Sequence, residues 1–335
     1  MIDLHLHLDG SLSKEDFEYL ASRNNVNLGK DFPRNIYVNS DCKSLEEYLE
    51  RFDLPLTLLQ DEMSLAYATN SLINRLYNLG YIYAEIRFAP QLHTRKGMSQ
   101  EDAVISVLAG LKNALKDKPD FDAGIILCCM RQADFETNVQ AIKLAEKYRK
   151  NGVVAVDLAG PEAFKTADKY QDLFNRAKEL GLNITIHAGE ACPSSEAEMA
   201  IDLLGAMRIG HGVHLELNPT NIRKINEKRI TFEFCPTSNL QTTSLTSYEN
   251  VPLREFDRYG IPVTINSDNM TVSNTNVIEE YRHIVKTFKL QRHEVKHFLL
   301  NSINAAFVDV NKKQALRREL DRKFNSFLDA IYQRR

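Results

Sequence analysis

The segment that decides the expected fold is residues 2–11, Ile2-Asp3-Leu4-His5-Leu6-His7-Leu8-Asp9-Gly10-Ser11. Aliphatic and polar side chains alternate over residues 2–8, which is the pattern of a β-strand with one mixed face. In such a strand His5 and His7 lie on the same face, roughly 7 Å apart. Two imidazoles on one face can bind a transition-metal ion, although two packed or surface histidines are the simpler interpretation of this pair alone.

Length and composition limit the classes of protein to consider. The chain has 335 residues and 43% hydrophobic content, and we expect one domain over residues 1–335. A net charge of −3 predicts no binding of nucleic acid or of an anionic membrane. No apolar run approaches the ~18 residues of a membrane span, and the first residues lack a signal-peptide pattern. Five cysteines without zinc-finger spacing indicate reduced thiols and a cytoplasmic protein.

Strand-like runs alternate with amphipathic helices along the chain. The eight predicted strands cover residues 2–8, 81–90, 123–130, 153–159, 183–187, 206–211, 229–235 and 261–266. Helices over about 275–289, 291–308 and 312–334 follow, and the last, basic and polar, is expected to be a solvated outer helix. This order predicts an α/β fold, a (β/α)8 TIM barrel with additional helices. An open doubly wound sheet is the alternative, but it would normally carry a Gly-rich first turn, which is missing here.

Polar motifs follow the expected C-terminal ends of six strands. They are HLHLDGS at residues 5–11, DLAG at 157–160, HAGE at 187–190, RIGHG at 208–212, CPTSN at 235–239 and NSDN at 266–269. A TIM barrel brings these ends to one mouth, where its active site is built. Three histidines and a carboxylate from the motifs are ligand types that suit zinc. The set therefore favours a metal-dependent active site.

With these motifs in this order, the chain resembles the adenosine deaminase family of the metal-dependent amidohydrolase superfamily over nearly its whole length. The resemblance implies hydrolytic deamination of adenosine, and of 2′-deoxyadenosine, to inosine and ammonia by a zinc-bound hydroxide that attacks C6 of the purine. It implies one Zn²⁺ per chain, bound by His5, His7, His187 and Asp268. The other implied roles are proton donation to N1 by Glu190, orientation or deprotonation of the water by His211, a hydrogen bond to N3 from the Gly160 N–H, a ribose hydroxyl contact by Asp9 and a contact to N7 by Asn269.

Independently of the family resemblance, hydrolytic deamination of adenosine requires both an acid and a nucleophile. Bound zinc lowers the pKa of water from 15.7 to roughly 7, which supplies a nucleophile at neutral pH. Proton transfer to N1 makes C6 more electrophilic, but a glutamate free in water, with a pKa of about 4.3, is ionised at pH 7. We therefore expect the surroundings of Glu190 to raise its pKa.

One position departs from the family pattern, in which many members carry two adjacent aspartates after the eighth strand. Here Asp268 is followed by Asn269. N7 of a purine only accepts hydrogen bonds, so a carboxylate must hold a proton to donate to it, whereas an asparagine amide donates as it stands. We expect Asn269 to preserve purine recognition.

Other residues near the motifs have simpler interpretations. Asp157 and Glu162 are expected to be structural neighbours of Gly160. Cys235 precedes a proline on a buried strand, where a small apolar side chain is a sufficient explanation. Histidines outside the motifs lack companions and are expected on the surface or packed in the core.

The sequence leaves more than one substrate and function open. Asp9, and the lack of a basic cluster near the first strand, disfavour a nucleotide. The amphipathic helix that carries Tyr48 and Phe52 resembles an apolar cover, which suits an uncharged purine nucleoside. Adenine or a modified adenine nucleoside is the alternative substrate. A non-catalytic metal-binding protein is a further alternative, as is a two-metal amidohydrolase, which is disfavoured because Ala159-Gly160 stands where a bridging lysine would be needed.

Overall fold

Parallel strands form a barrel wall in the computed structural model, which describes residues 1–38 and 42–332. The strands are β1 (Ile2–His7), β2 (Tyr83–Phe88), β3 (Asp122–Met130), β4 (Val153–Ala159), β5 (Thr185–Ala188), β6 (Arg208–His211), β7 (Thr231–Phe234) and β8 (Val263–Ile265). β1 to β4 pair in order, as do β5 to β8. Bridges between Val156 and Ile184 and between Leu6 and Asp268 join the two sets. The expected (β/α)8 barrel is confirmed, and the open sheet is wrong because the first and last strands meet.

Helices connect the strands and cover the barrel. They are α1 (Lys14–Asn24), α2 (Leu45–Leu49), α3 (Asp53–Leu58), α4 (Glu62–Asn78), α5 (Gln100–Leu115), α6 (Phe135–Tyr148), α7 (Gln171–Glu179), α8 (Ser194–Met199), α9 (Pro219–Lys228), α10 (Pro236–Gln241), α11 (Leu253–Arg258), α12 (Val277–Phe288), α13 (Arg292–Ala305) and α14 (Val310–Tyr332). Short 3-10 helices lie at Asp9–Ser11, Arg34–Ile36, Glu50–Phe52, Pro90–His93, Arg149–Asn151, Glu162–Phe164, Ala167–Tyr170 and Tyr248–Asn250, and a π-helical turn lies at Ala200–Leu204. Within the described residues, no helix combines the length and apolar character that crossing a membrane requires.

The segment over the barrel mouth differs from the single amphipathic helix expected to carry Tyr48 and Phe52. The Ser44 hydroxyl caps α2 by accepting a hydrogen bond from the Glu47 N–H at 3.2 Å. The Glu47 carboxylate in turn accepts a hydrogen bond from the Lys43 N–H, and not from the N–H of Ser44. The chain then passes through the 3-10 turn Glu50–Phe52 into α3. Pro55 explains the break, because proline has no N–H for a continuing helix but is tolerated in a first turn.

Two further helices differ from the sequence-based expectation. The helix α1 is absent from the sequence-based expectation, although Ser13 and Asp16 form a reciprocal capping box at its start. α14 is not simply a solvated outer helix, because it buries one apolar side of its surface, formed by Leu316, Leu320, Phe327, Leu328 and Ile331. The expected end of this helix at residue 334 lies outside the described residues.

Gly110 on α5 marks a close approach to the neighbouring helix α4. A Cβ at this position would lie 2.4 Å from the Ala66 carbonyl oxygen, a backbone atom that cannot move aside independently. Alanine is favoured over glycine in a helix by about 1 kcal/mol, whereas overpacking costs about 1–3 kcal/mol. We expect Gly110→Ala to lower the free energy of unfolding in urea by about 1 kcal/mol or more. Ile105→Ala, at an exposed site of α5, is the control and should change the free energy of unfolding by less than about 0.5 kcal/mol. Equal stability of Gly110→Ala and the wild type would contradict the close packing of α5 against α4.

Candidate active site

The strand ends converge on a cavity at the barrel mouth. The predicted site residues that line it are His7, Asp9, Gly160, His187, Glu190, His211, Asp268 and Asn269. His5 does not line the cavity but is fully buried next to it. Apolar side chains from α2, the following turn and α3 cover the opening, as the amphipathic pattern predicted. The structure thus brings all nine predicted site residues together.

Backbone hydrogen bonds fix the position of Asp268 beside the first strand. The Asp268 N–H donates to the His5 carbonyl at 2.8 Å, and the His7 N–H donates to the Asp268 carbonyl at 2.8 Å. The carboxylate oxygen Oδ1 of Asp268 therefore lies 3.5 Å from Nε2 of His5 and 3.4 Å from Nε2 of His7. Nε2 of His7 in turn lies 3.2 Å from Nε2 of His187.

These separations fit the ligands of one cation. Two ligand atoms that are each 2.0–2.2 Å from zinc at an angle near 109° are about 3.3–3.6 Å apart. Nε2 of His5 is buried and has no hydrogen-bond partner among the described residues, as expected for a nitrogen whose lone pair serves a metal. Burial lowers the pKa of His7 and of His187 below the ordinary value, which keeps both in the neutral form that binds metals. His5, His7, His187 and Asp268 can therefore hold a metal ion.

Two buried carboxylates orient the metal-site histidines. Nδ1 of His5 lies 2.8 Å from Glu233, and Nδ1 of His187 lies 3.0 Å from Asp157. Arg87 joins these carboxylates, since one of its nitrogens is 2.9 Å from Asp157 and another 2.8 Å from Glu233. Although burial opposes ionisation, the contact with His187 and the charge of Arg87 hold the pKa of Asp157 well below its usual range. Such partners fix the tautomer and the ring orientation of ligand histidines.

Asp157, Glu233 and Arg87 extend the site beyond the residues singled out from the sequence. The interpretation of Asp157 as only a neighbour of Gly160 misses its contact with His187. The available signal for Arg87 was its alternation with Glu85 in the otherwise mainly apolar strand β2, which turns both charges to the barrel interior. Charges at that spacing in a buried strand require partners, and here these come from other strands.

Backbone strain accompanies the ends of β6 and β8. His211 has a φ of 62° and Asp268 a φ of 58°, values in the left-handed region that is uncommon for residues other than glycine. Nδ1 of His211 lies 3.1 Å from the side-chain nitrogen of Asn239, which holds the ring with Nε2 directed at Glu190, 3.5 Å away. Unusual backbone conformations of this kind are concentrated at active sites because the surrounding structure must maintain them.

Glu190 is buried at the cavity wall. The Thr242 hydroxyl donates to its Oε1 at 3.1 Å. Burial, followed by the negative charges of Asp268 and Glu162, raises the pKa of Glu190 well above its ordinary value. This is the direction expected for a carboxyl group that must hold a proton at neutral pH.

Glu162 was interpreted from the sequence as a structural neighbour, and its contacts give it a more specific part. Its carboxylate accepts hydrogen bonds from four consecutive backbone N–H groups, those of residues 189–192. It thereby holds the loop that carries Glu190 against the loop that carries Gly160. Charge-assisted bonds of this kind are the stronger class of hydrogen bond. An acidic residue two positions after a strand-end glycine was the only signal in the sequence.

Asp9 and Gly160 both line the cavity. Oδ1 of Asp9 is buried and lacks a hydrogen-bond partner in the described part of the chain. Burial raises the pKa of Asp9 to about 6, so the group is mostly ionised at pH 7. Gly160 has a φ of 98°, and a Cβ there would lie 2.4 Å from Oε1 of Gln132, so only glycine fits without displacement.

Asn269 and Cys235 complete the surroundings. The side-chain nitrogen of Asn269 donates to the Tyr48 hydroxyl at 2.9 Å, a contact that the sequence did not predict. Cys235 is buried as expected, but its sulfur also falls into a second group of potential metal ligands with His5, His211 and Asp268. Burial raises the pKa of the Cys235 thiol well above its ordinary value, which keeps it a neutral and poor ligand.

Known proteins give the arrangement a context. The family model for adenosine deaminase matches residues 1–323. An adenosine deaminase of Haemophilus ducreyi is 44% identical over 332 residues, which cover 97% of this chain and 96% of that protein. The crystal structure of an adenine deaminase from Arthrobacter aurescens has a TM-score of 0.88 at 25% identity, covering 97% of this chain and 98% of that one. The apo N6-methyl-AMP deaminase from Arabidopsis thaliana has a TM-score of 0.85 at 26% identity, covering 96% of each chain.

The match to the family model and the near-full coverage of the relative agree with the barrel and with the positions of the six motifs. A likeness at 44% identity over almost the entire length cannot come from the metal-site motifs alone, because these make up a small part of the chain. The chain therefore belongs to the adenosine deaminase family.

Proposed function

We propose that this protein catalyses the hydrolytic deamination of adenosine, and of 2′-deoxyadenosine, to inosine and ammonia. The observation that carries the proposal is a buried carboxyl group with a raised pKa, Glu190, beside a set of metal-ligand atoms in one covered cavity. The relative from Haemophilus ducreyi, named adenosine deaminase, supports the choice of substrate.

In this proposal His5, His7, His187 and Asp268 bind one Zn²⁺ per chain. The 3.2–3.5 Å separations of their ligand atoms support this assignment. When bound, zinc lowers the pKa of water to roughly 7 and so supplies a nucleophile at neutral pH. Asp157 and Glu233 keep the coordinating nitrogens of His187 and His5 directed at the ion.

Glu190 and His211 handle the protons of the reaction. Glu190 transfers a proton to N1, which draws electrons from C6 and prepares it for attack by water. His211 holds a hydrogen of the attacking water, a role that its buried ring, 3.5 Å from Glu190, supports. The water oxygen bonds to C6, and the proton that the water gives to His211 passes to the amino nitrogen, so that the C6–nitrogen bond breaks and ammonia leaves. The remaining hydroxyl proton returns to the Glu190 carboxylate as the C6 carbonyl of inosine forms.

The remaining residues bind the nucleoside. We propose that the Gly160 N–H donates to N3, that Asn269 donates to N7 and that Asp9 accepts from a ribose hydroxyl. Oδ1 of Asp9 is buried and has no hydrogen-bond partner among the described residues, which supports a contact to a ribose hydroxyl. The apolar roof formed by Leu45, Leu49 and other side chains excludes water from the reacting atoms.

The whole chain serves this one reaction in the proposal, with residues 1–335 as a single domain. The contribution of ligands from both β1 and the loop after β8 supports that assignment. The cysteines are free in the structure, which supports a reducing, cytoplasmic compartment.

Adenine and a 5′-nucleotide are the competing substrates. The structural relatives named adenine deaminase and N6-methyl-AMP deaminase share the fold. Arg95 is exposed and contributes to the cavity lining, and this cation favours a phosphate. Asp9, ionised at neutral pH, acts against a phosphate near the ribose.

The function is tested by measuring ammonia release from adenosine, 2′-deoxyadenosine, adenine and AMP in parallel, with and without a zinc chelator. We expect adenosine to have the highest kcat/KM, the chelator to abolish turnover and added Zn²⁺ to restore it. Equal or greater activity on adenine would overturn the choice of substrate. A preference for AMP that Arg95→Ala removes would assign the enzyme to nucleotides.

Asp157→Asn tests the support of the metal site. The change keeps the shape of the side chain but removes the charge facing Nδ1 of His187. We expect a 10- to 100-fold loss of zinc affinity, measured by competition with a chromogenic chelator, which is the usual range for such partners. Asp172→Asn, at an exposed position of α7, is the matched control and should leave the affinity unchanged. An unaltered affinity in Asp157→Asn would mean that this carboxylate does not support the site.

Glu190→Gln and Glu162→Gln test the acid. An amide cannot transfer a proton, so we expect Glu190→Gln to lower kcat by about 10²- to 10⁴-fold. The acid must be protonated, so kcat/KM of the wild type should fall as pH rises through the raised pKa of Glu190.

The Glu162 charge contributes to the raised pKa of Glu190, so Glu162→Gln should lower that pKa. The fall of kcat/KM at alkaline pH should then begin at a lower pH than in the wild type. Glu227→Gln, on the exposed surface of α9, is the control and should not change the pH at which kcat/KM falls. If that pH is also unchanged in Glu162→Gln, Glu162 does not influence the pKa of Glu190.

A further inference from the structure

A chain of hydrogen bonds ties the roof of the cavity to the loop after β8. Tyr48 lies on α2, and Asn269 and Ser273 lie in that loop. The side-chain nitrogen of Asn269 donates to the Tyr48 hydroxyl at 2.9 Å, and the same hydroxyl lies 2.7 Å from the Ser273 hydroxyl. All three residues are buried. A Tyr48 hydroxyl that accepts from Asn269 keeps its own single hydrogen, and either it or the Ser273 hydroxyl is the donor in the contact between them.

The opposite end of the Asn269 amide is turned toward Gly10. Oδ1 is buried without a hydrogen-bond partner among the residues described, and a Cβ at Gly10 would lie 1.9 Å from it. If the amide were turned over, its N–H groups would face the Cα of Gly10, and a buried donor without an acceptor costs roughly 1–3 kcal/mol. A carbonyl oxygen is better accommodated there, because it can contact the Cα hydrogens. The surroundings therefore favour the orientation in which the amide nitrogen faces Tyr48.

An amide nitrogen carries two hydrogens, and the Tyr48 hydroxyl accepts one of them. Asn269 also lines the cavity, so the second hydrogen is available to a ligand there. Burial, followed by the charge of Asp268, raises the pKa of Tyr48 well above its ordinary value, so the hydroxyl remains neutral and accepts from Asn269 as an uncharged group.

We propose that Tyr48 is a positioning residue for purine recognition, which holds the Asn269 amide so that its second N–H donates to N7. The inference rests on the proposed function, because it requires a purine in the cavity. It also makes recognition depend on the roof, since α2 must lie over the cavity for Tyr48 to reach Asn269.

Two ligands separate this role from simple packing. 1-Deazaadenosine keeps N7 but lacks N1, so Glu190 cannot protonate it there, whereas 7-deazaadenosine lacks N7. Inhibition constants of both are measured against adenosine for the wild type, Tyr48→Phe, Asn269→Ala and the double variant. We expect Tyr48→Phe to raise the constant of 1-deazaadenosine about 3- to 10-fold, as for one lost hydrogen bond, and that of 7-deazaadenosine less than about twofold. Because an inhibition constant does not depend on the fraction of active enzyme, partial unfolding of a variant cannot imitate this result.

The double variant tests whether Tyr48 acts through Asn269. Asn269→Ala should itself lower kcat/KM for adenosine by more than about twofold. Adding Tyr48→Phe to Asn269→Ala should then cost little more, because the amide that Tyr48 positions is already gone. Tyr148→Phe, which removes a hydroxyl bonded to Glu101, is the matched control and should leave both constants unchanged.

Equal increases for the two ligands in Tyr48→Phe, or fully additive losses in the double variant, would overturn the inference and leave Tyr48 as part of the apolar roof. These outcomes differ from failure of the proposed function. In that case the wild type would neither deaminate adenosine nor bind 1-deazaadenosine, and the inference would fall with it.

Discussion

The candidate active site depends on one buried interaction, the pairing of the Arg87 guanidinium with Asp157 and Glu233. Each carboxylate contacts a histidine of the metal site on its other side. Removing charges from water is expensive, and an ion pair offsets that loss only when the remaining hydrogen-bonding groups are satisfied. Arg87 pairs with both carboxylates at once. It therefore allows Asp157 and Glu233, together with the two histidines that they contact, to remain inside the barrel. The orientation of the histidines follows from this shared partner.

Closure of the barrel gives the site its second constraint. Asp268 follows β8, yet its backbone exchanges two hydrogen bonds with β1, at 2.8 Å each. The metal-site histidines of the first strand and the carboxylate of the last are thus held together by the main chain itself. Asp268 and His211 adopt a left-handed backbone conformation, which costs free energy but directs both side chains into the cavity. Glu162 fixes the loop that carries Glu190 by accepting hydrogen bonds from four of its N–H groups. The site is rigid at its floor and gains its cover from α2.

The sequence predicts the strands and the motif residues well, because both depend on local patterns. Alternation predicts β1, and the polar motifs at strand ends, through the family that they resemble, imply the proposed ligand set and Glu190. Contacts between distant side chains have no such local pattern: Arg87 meets Glu233, and Tyr48 meets Asn269, across more than one hundred residues. The sequence places Glu162 beside Gly160 but does not predict its specific contacts, since its four hydrogen-bond donors are backbone groups that any residue other than proline could supply.

The central claim is that imidazoles from β1 and β5 and the Asp268 carboxylate share one cation. Crystals of the zinc-loaded protein, with X-ray data collected on both sides of the zinc absorption edge, test it most directly. The arrangement predicts a single anomalous peak per chain, about 2.0–2.2 Å from the Nε2 atoms of His5, His7 and His187 and from an oxygen of Asp268. Two peaks at the barrel mouth, or one peak coordinated by a different set of side chains, would contradict it.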